Sequence, residues 1–179
     1  MDPVVKRAAP EERLPLQRML ELYQHDLSDI WDQDLDPHGE YGYDLDRYWQ
    51  DPRCHPYVFL VGDRYAGFAL VDPRVRIPGD DFWIDQFFVM KKYRRAGIGN
   101  AAATRIFALH PGRWQVGQMP GNQAAQAFWR RTIGEFSAGR YEETRITSGW
   151  WQGVVQRFAS MPGSDAATAI RTDSSPGRG

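Results

Sequence analysis

Apolar side chains recur every three or four positions in three stretches of the chain, and this spacing predicts amphipathic helices. The first stretch, 9–25, opens with a proline and two glutamates, which suit the first turn of a helix. The second stretch, 97–109, ends before a Pro-Gly pair, and the third, 123–131, follows Asn122, which can cap a helix. We therefore predict helices over these ranges and one further helical turn at 44–50.

Other segments are rich in β-branched and aromatic residues and predict strands. The runs 57–61 and 65–71 flank a Gly-Asp-Arg triplet, which predicts a hairpin. The run 82–90 is apolar or aromatic except at two positions, which predicts a central, buried strand. The complete set of predicted strands is 3–8, 57–61, 65–71, 82–90, 114–116, 136–147 and 149–158.

The order of these elements predicts the fold class. In chain order the elements are a strand, helices, three strands, a helix, a strand, a helix and two strands. This order indicates a mixed α/β (α+β) domain. Its sheet is expected to be mostly antiparallel, with one parallel step beside helix 97–109. The predicted domain is 1–158. The tail, 159–179, has too few large apolar side chains to offset its ordering entropy, so we predict that it is disordered.

Composition narrows the class of protein. The chain has 179 residues, 42% apolar and 25% charged, which is enough for one well-buried domain. Its 22 Lys and Arg balance 23 Asp and Glu, so no net field attracts nucleic acid or an anionic membrane. A single cysteine excludes an intramolecular disulfide, and the 4 histidines show no metal-ligand spacing. No apolar run approaches membrane-spanning length, so we expect a cytoplasmic protein without metal, nucleic-acid or membrane partners.

Charge is unevenly distributed along the chain despite this balance. Eight acids lie from Asp26 to Asp46 with no Lys or Arg among them, a segment that we call the acidic stretch. Residues 90–95 read Met-Lys-Lys-Tyr-Arg-Arg. Two oppositely charged segments in one small domain predict two differently charged ligands, and two solvated surfaces are the alternative.

A loop of basic residues and glycines joins the buried strand to the second helix. Free backbone N–H groups at a helix start, together with the helix dipole, favour a phosphate group. Gly97 and Gly99 let the backbone approach that group, and Arg94 and Arg95 can add charge-assisted hydrogen bonds. The loop is not a Walker motif, because no Gly-Lys-Ser/Thr follows, and it lacks the third glycine of the dinucleotide fingerprint. The pattern predicts an anion-binding loop.

Two motifs in these segments resemble those of the GCN5-related N-acetyltransferases, the GNAT family. Residues 94–99, Arg-Arg-Ala-Gly-Ile-Gly, match the Arg/Gln-x-x-Gly-x-Gly/Ala signature, and Phe-Phe-Val at 87–89 stands where the family has its splayed acetyl-CoA strand. Residues 122–129, Asn-Gln-Ala-Ala-Gln-Ala-Phe-Trp, match the second signature. The resemblance covers residues 4–158. It implies a sheet of about seven strands, splayed between strands 4 and 5 and flanked by about four helices, and a homodimer, since members are commonly dimers.

The resemblance implies an acetyl-CoA site and no metal. The diphosphate would lie on the N–H groups of 95–100, and the pantetheine arm would lie along 87–89. Asn122 and Phe128 would line the other side of that arm, although a plain helix cap and core packing are the respective alternatives. The cofactor-binding residues so implied are Phe87, Phe88, Val89, Arg94, Arg95, Ala96, Gly97, Ile98, Gly99, Asn100, Asn122 and Phe128.

The resemblance also implies two catalytic groups. The backbone N–H of Val89 would act as oxyanion donor to the thioester carbonyl. Asp85 is the acid within the apolar strand, on the face that strand alternation gives to Trp83 and Phe87, and it stands where some members have their catalytic base. A structural carboxylate, or an anchor for the substrate ammonium, is the alternative for Asp85.

Trp129 departs from the family pattern. Many members have a tyrosine at this position, which protonates the leaving thiolate, and an indole cannot do so. Either another hydroxyl takes this role, or water and the substrate's own ammonium do. The candidate hydroxyls are those of Tyr41, Tyr43, Tyr93 and Tyr141.

In the family, the segment after the first helix and the loop between the last two strands wall the acceptor site. Here the first is acidic and aromatic, and the second contains two tryptophans. Acids and aromatic rings suit a cationic amine, and the chain is similar to small aminoglycoside N-acetyltransferases, including one for the 2′-amine of a kasugamycin-like compound. The predicted substrate residues are Asp32, Asp34, Asp36, Glu40, Tyr41, Trp83 and Trp150.

The sequence is therefore compatible with three functions. The leading hypothesis is acetyl transfer from acetyl-CoA to a primary amine of a cationic small molecule of the aminoglycoside type, which would confer antibiotic resistance. The second keeps the chemistry but makes the acceptor a protein N-terminus or lysine. The third is a non-catalytic acyl-CoA-binding sensor, for which Trp129 is the hint.

Overall fold

The computed structural model describes residues 2–162, and this part of the chain contains seven strands and four α-helices. The strands are β1 Val4–Arg7, β2 His55–Val61, β3 Arg64–Asp72, β4 Phe82–Val89, β5 Gly112–Gln118, β6 Tyr141–Ile146 and β7 Gly153–Ser160. The helices are α1 Arg13–Trp31, α2 Arg47–Gln50, α3 Ile98–Leu109 and α4 Gln123–Phe136, with 3-10 turns at Pro10–Glu12 and Lys91–Tyr93.

The strands form one sheet in the order β1-β2-β3-β4-β5-β7-β6. Every neighbouring pair is antiparallel except β4 and β5, which are parallel. The parallel step is possible because α3 crosses over between these two strands. The predicted mixed α/β class, the seven-stranded sheet and the four helices are confirmed.

The parallel pair is short, and this opens the sheet. Only 82–84 of β4 pair with 114–116 of β5, while β3 stays paired with β4 as far as Val89. The register between β3 and β4 shifts where Leu70 faces Gln86 and Val71 faces Ile84, so Asp85 is one extra residue on β4. A bulge of this kind bends a strand and re-aims its side chain. The splay predicted between strands 4 and 5 therefore begins at Asp85.

Each face of the sheet has its own hydrophobic core. Alternation along β3 sends Ala69 and Val71 to one face and Phe68 and Leu70 to the other. The first core contains α3 and α4 side chains around Trp114, and the second contains Leu16 and Leu20 of α1, Tyr48 of α2 and Leu45, which precedes α2. Helices on both faces hold the open edges of β4 and β5 in place.

Two predicted strands near the C-terminal end of the domain have wrong boundaries. Residues 136–147 are not one strand, because α4 continues to Phe136, whose ring packs against Phe107 and Phe158. A turn with positive φ at Ala138 and Gly139 then leads to β6. The last strand, predicted at 149–158, begins only at Gly153 and runs to Ser160.

The first helix is longer than predicted. It continues past residue 25 to Trp31, with Tyr23, Leu27 and Ile30 on a common side at helical spacing. Asp32 then adopts a left-handed conformation and ends the helix. The predicted disorder begins at 159, but Ala159 and Ser160 belong to β7, and 163–179 lie outside the described residues.

Candidate active site

A cleft of about 1250 Å³ occupies the gap between β4 and β5. Side chains of α1 form one wall, the start of α3 and the side of α4 form another, and the loop before β7 closes one end. Asp85 lies near the middle of β4, where the two strands begin to separate. A single continuous site therefore collects residues from the motifs at 94–99 and 122–129.

The open edge of β4 faces this cleft. The N–H of Met90 donates to the carbonyl of Ala66 on β3 at 2.8 Å. Since successive N–H groups of a strand point to opposite edges, the N–H of Val89 points away from β3, toward β5. Nε of Arg94 donates to the Val89 carbonyl at 2.7 Å, so the loop is tied to the open end of the strand.

The glycine loop has the geometry of an anion cradle. Gly97 has φ 79°, a left-handed conformation, and directly precedes α3, whose first N–H groups have no partner within the helix. A Cβ at Gly99 would lie 3.2 Å from the ring of Phe128 and 3.5 Å from Cγ2 of Val89. A residue without a side chain is therefore needed at Gly99 to keep this space clear, and the cradle fits a diphosphate.

Most of the predicted cofactor-binding residues line the cleft, and two of them, Ala96 and Ile98, do not. Phe88 packs against Tyr23 and Phe68 in the core on the α1 face, and Ile98 is buried in the other core. Ala96 is exposed and does not line the cleft. The residues that do line it are Phe87, Phe88, Val89, Arg94, Arg95, Gly97, Gly99, Asn100, Asn122 and Phe128.

Asn122 and Phe128 have two roles each. The side chain of Asn122 accepts a hydrogen bond from the N–H of Ala125 at 3.0 Å, which confirms the predicted helix cap. The ring of Phe128 stacks on Phe87 at 5.9 Å between centroids. Both also line the cleft. Packing and ligand contact are therefore compatible at both positions.

Positive charge surrounds the cradle, and part of it is already engaged. Arg94 and Lys91 lie 2.5 and 3.1 Å from the carboxylate of Asp26 on α1, which lowers the pKa of Asp26 despite its partial burial. Arg95 and Arg131 line the cleft as well. Arg131 lies outside both sequence motifs, and only the position of α4 brings it to the site.

Asp85 is held by a network of donors. Its Oδ2 accepts hydrogen bonds from the hydroxyls of Tyr43 and Tyr48, at 2.5 and 2.9 Å, and from Arg47 at 2.9 Å. Arg47 also contacts buried Asp72 at 3.0 Å. Within residues 2–162 every one of these bonds falls on Oδ2, so Oδ1 remains for a ligand in the cleft.

The charges of this network shift the ionisation of its members. Burial, then the charge of Asp85, raises the pKa of Asp72 to about 6. Burial and Asp85 raise the pKa of Tyr43 and Tyr48 far above their usual range. The phenols stay protonated at neutral pH and act as donors. Because Asp85 is the bulge residue, it lies with these α1-face groups rather than with Phe87, so the predicted alternation fails here.

Two tyrosines line the cleft, and only one was a candidate acid. Tyr43 lines it, while Tyr41, Tyr93 and Tyr141 do not. Tyr23, which the sequence did not single out, lines it from α1, and burial together with Asp85 raises its pKa. Trp129 is buried with its ring edge-on to Phe87 at 4.9 Å.

The far end of the cleft, which we call the acceptor end, contains Arg76, Trp83, Trp150 and Trp151. The predicted substrate residues Trp83 and Trp150 are both present there. Arg76 was missed, because it belongs to the segment between β3 and β4, which carries no motif. Arg76 reaches the cleft because the folded chain brings that segment next to Trp150, which no local sequence pattern predicts.

The acidic stretch walls the cleft only in part. Since α1 continues to Trp31, the later acids fall on an exposed loop beyond it; Asp36 there accepts hydrogen bonds from the N–H groups of His38 and Glu40. Asp26 and Asp29 are the acids of this stretch that do line the cleft. The predicted substrate residues that do not line it are Asp32, Asp34, Asp36, Glu40 and Tyr41.

Comparison with known proteins identifies the family. The family model described as "Acetyltransferase (GNAT) family" matches residues 16–134, more than half of the chain. This chain belongs to the GNAT acetyltransferase family. It is accordingly an acetyl-CoA-dependent N-acetyltransferase. A comparison with curated proteins gives no match. None of the helices in residues 2–162 of this GNAT protein is long and apolar enough to span a bilayer.

Solved structures share the GNAT fold at low identity. An acetyltransferase from Thermus thermophilus is 16% identical with a TM-score of 0.66, over 89% of this chain and 97% of that one. A structure from Corynebacterium glutamicum, described as histone acetyltransferase HPA2 and related acetyltransferase, is 14% identical with a TM-score of 0.64, over 91% and 98%. The aminoglycoside acetyltransferase AAC(6')-Ib in complex with coenzyme A is 13% identical with a TM-score of 0.61, over 88% and 94%. Such identities show the fold alone.

Proposed function

We propose that this GNAT protein acetylates a primary amine of a small, cationic acceptor, and that an aminoglycoside-type amino sugar is the leading candidate. The observation that carries the proposal is the position of Asp85, in the cleft between the anion cradle at one end and three tryptophans at the other. An acceptor amine held beside Asp85 would lie between an acyl donor bound along β4 and a wall of aromatic rings.

The chain's own groups suit each part of this reaction. When bound, acetyl-CoA supplies an activated acetyl group. The N–H of Val89, on the open edge of β4, would donate to the thioester carbonyl oxygen. Oδ1 of Asp85 receives the amine and its proton, while Oδ2 stays fixed by Arg47 and two tyrosines. Tyr43 already donates its proton to Asp85, so Tyr23, whose phenol stays protonated, is the cleft hydroxyl among residues 2–162 that can donate to the leaving thiolate.

The acceptor end supports a small molecule with flat apolar faces. Trp83 and Trp151 meet edge to face at 5.6 Å, and Trp150 is 79% exposed at the rim. Sugar rings and other flat groups pack on such surfaces. Asp29 and Asp85 supply negative charge near the amine, and the acids at 32–40 play no part in this proposal.

The test is release of free coenzyme A thiol from acetyl-CoA across a panel of amines: aminoglycosides, simple amino sugars, polyamines and lysine-containing peptides. We expect release with small amino compounds, with mass spectrometry locating one acetyl group on a primary amine. Release with peptides alone would make the acceptor a protein. Tight acetyl-CoA binding without release for any amine would favour the non-catalytic sensor.

A further inference from the structure

Arg76 is a half-buried cation at the acceptor end of the cleft. Its guanidinium carbon lies 4.3 Å from the ring centre of Trp83 and 4.4 Å from that of Trp150, so aromatic rings lie against it. Within residues 2–162 no carboxylate lies within ion-pair distance of Arg76. Two nearby arginines do have carboxylate partners: Arg47 pairs with Asp85, and Arg74 contacts Asp72.

The hydrogen bonds of Arg76 leave one edge of the guanidinium without a partner. Its backbone N–H donates to Oε1 of Gln115 at 2.9 Å, which anchors the residue, and Nη1 donates to the carbonyl of Arg74 at 2.6 Å. In the described part of the chain, Nε is buried without a hydrogen-bond partner, and so is Nε1 of Trp83 beside it. Nη2, which is neither buried nor hydrogen-bonded within residues 2–162, is left to donate to an oxygen of an anion in the cleft.

An unpaired charge in this position is unfavourable in the absence of a ligand. Burial lowers the pKa of Arg76, although Asp85 and Asp72 act in the opposite direction. Contacts with tryptophan rings stabilise a cation only in part, and a buried donor without a partner carries its full desolvation penalty. An anionic group that enters the cleft would offset the unpaired charge through Nη2.

We propose that the acceptor carries a carboxylate in addition to its amine, and that Arg76, between Trp83 and Trp150, binds this carboxylate. The inference rests on the proposed function, since it names a second group of the same acceptor. A carboxylate fits better than a phosphate, because it is planar and carries a single charge next to Asp85 and Asp72. The acceptor class is therefore a cationic amine that also bears a carboxylate, such as a basic amino acid or an amino sugar with an acidic group.

The experiment compares pairs of amines that differ only in a carboxylate. Suitable pairs are lysine and cadaverine, alanine and ethylamine, and 2-amino-2-deoxyglucuronic acid and glucosamine. Thiol release gives kcat and KM, and quenching of tryptophan fluorescence in the presence of coenzyme A gives binding without turnover. The variants are Arg76→Gln and, as the matched control, Arg64→Gln, which removes the same charge from an exposed turn whose side chain is 75% accessible.

For at least one pair we expect the wild type to prefer the carboxylate member. Arg76→Gln should raise the KM for that member about 10- to 100-fold and leave the other member nearly unchanged. Arg64→Gln should keep the preference. The inference is overturned if the wild type shows no preference in either binding or turnover, or if the preference survives in Arg76→Gln. Carboxylate-dependent binding without any thiol release would instead refute the proposed reaction and leave the Arg76 site standing.

Discussion

Asp85→Asn is the substitution that separates the structural and the chemical roles of the central acid. The side chain of Asp85 is 9% exposed and takes one ion pair and two phenolic hydrogen bonds on a single oxygen. In Asp85→Asn the amide oxygen can accept the same hydrogen bonds, but a hydrogen bond to a neutral oxygen is about half as strong as one to a carboxylate. Arg47 still has Asp72 at 3.0 Å, so the loss stays below the ~3–5 kcal/mol of an orphaned buried charge. We estimate about 2 kcal/mol, or a fall of roughly 4–8 °C in Tm.

The same variant should lose far more activity than stability. If Oδ1 of Asp85 takes the proton of the amine, kcat falls by roughly 10²- to 10⁴-fold, while coenzyme A affinity is unchanged because the cradle lies elsewhere. Urea unfolding, calorimetry with coenzyme A and thiol release measure the three quantities. Asp63→Asn, at an exposed turn whose side chain is 97% accessible, is the control. Wild-type turnover in Asp85→Asn would refute the chemical role, and an unchanged Tm would refute the described network.

Two further predictions concern the cradle and a half-buried histidine. Gly99→Val places a Cβ 3.2 Å from the Phe128 ring, and calorimetry should show coenzyme A binding weakened about tenfold or more. The control is Gly134→Val, whose Cβ would lie 3.8 Å from its nearest neighbour, at an ordinary contact distance. An equal loss of coenzyme A affinity in the two variants would contradict the prediction. Burial and the charge of His55 lower the pKa of His110 to about 4 in the folded protein. The unfolded chain therefore binds a proton at His110 at a higher pH than the folded protein does. The free energy of unfolding keeps its full value above pH 6.5 and decreases as the pH falls toward 4. This amounts to on the order of 2 kcal/mol once partial exposure is allowed for. His110→Gln should flatten the dependence of unfolding free energy on pH over that range, and an unaltered slope would contradict it.

The elements that the sequence predicts well are those whose signal is local. The hairpin of β2 and β3, the cap at Asn122 and the glycine loop before α3 each depend on a few adjacent residues. The splay was expected from the family motifs rather than from any spacing. In the structure it begins at the bulge on β4, and a bulge depends on register with the neighbouring strand, which periodicity alone does not reveal.

The parts of the site that sequence reasoning missed depend on tertiary structure. Arg76 has no motif and reaches the cleft because the segment between β3 and β4 folds back beside Gln115. The pairing of Asp85 with Arg47 joins residues 38 positions apart. The acids at 32–40 were expected at the cleft because the family has the segment after the first helix there, and in this chain that segment is acidic. The longer α1 moves them beyond its end, onto an exposed loop.

The central claim is that main-chain amides of 97–100, beside the open half of β4, hold the diphosphate of coenzyme A. The most direct measurement is a crystal structure of the protein with coenzyme A. We predict diphosphate density against the N–H groups that begin α3, with the pantetheine arm running between β4 and β5 past Phe128. Coenzyme A bound elsewhere, with the cradle at Gly97 and Gly99 closed and no ligand in the gap, would contradict the account.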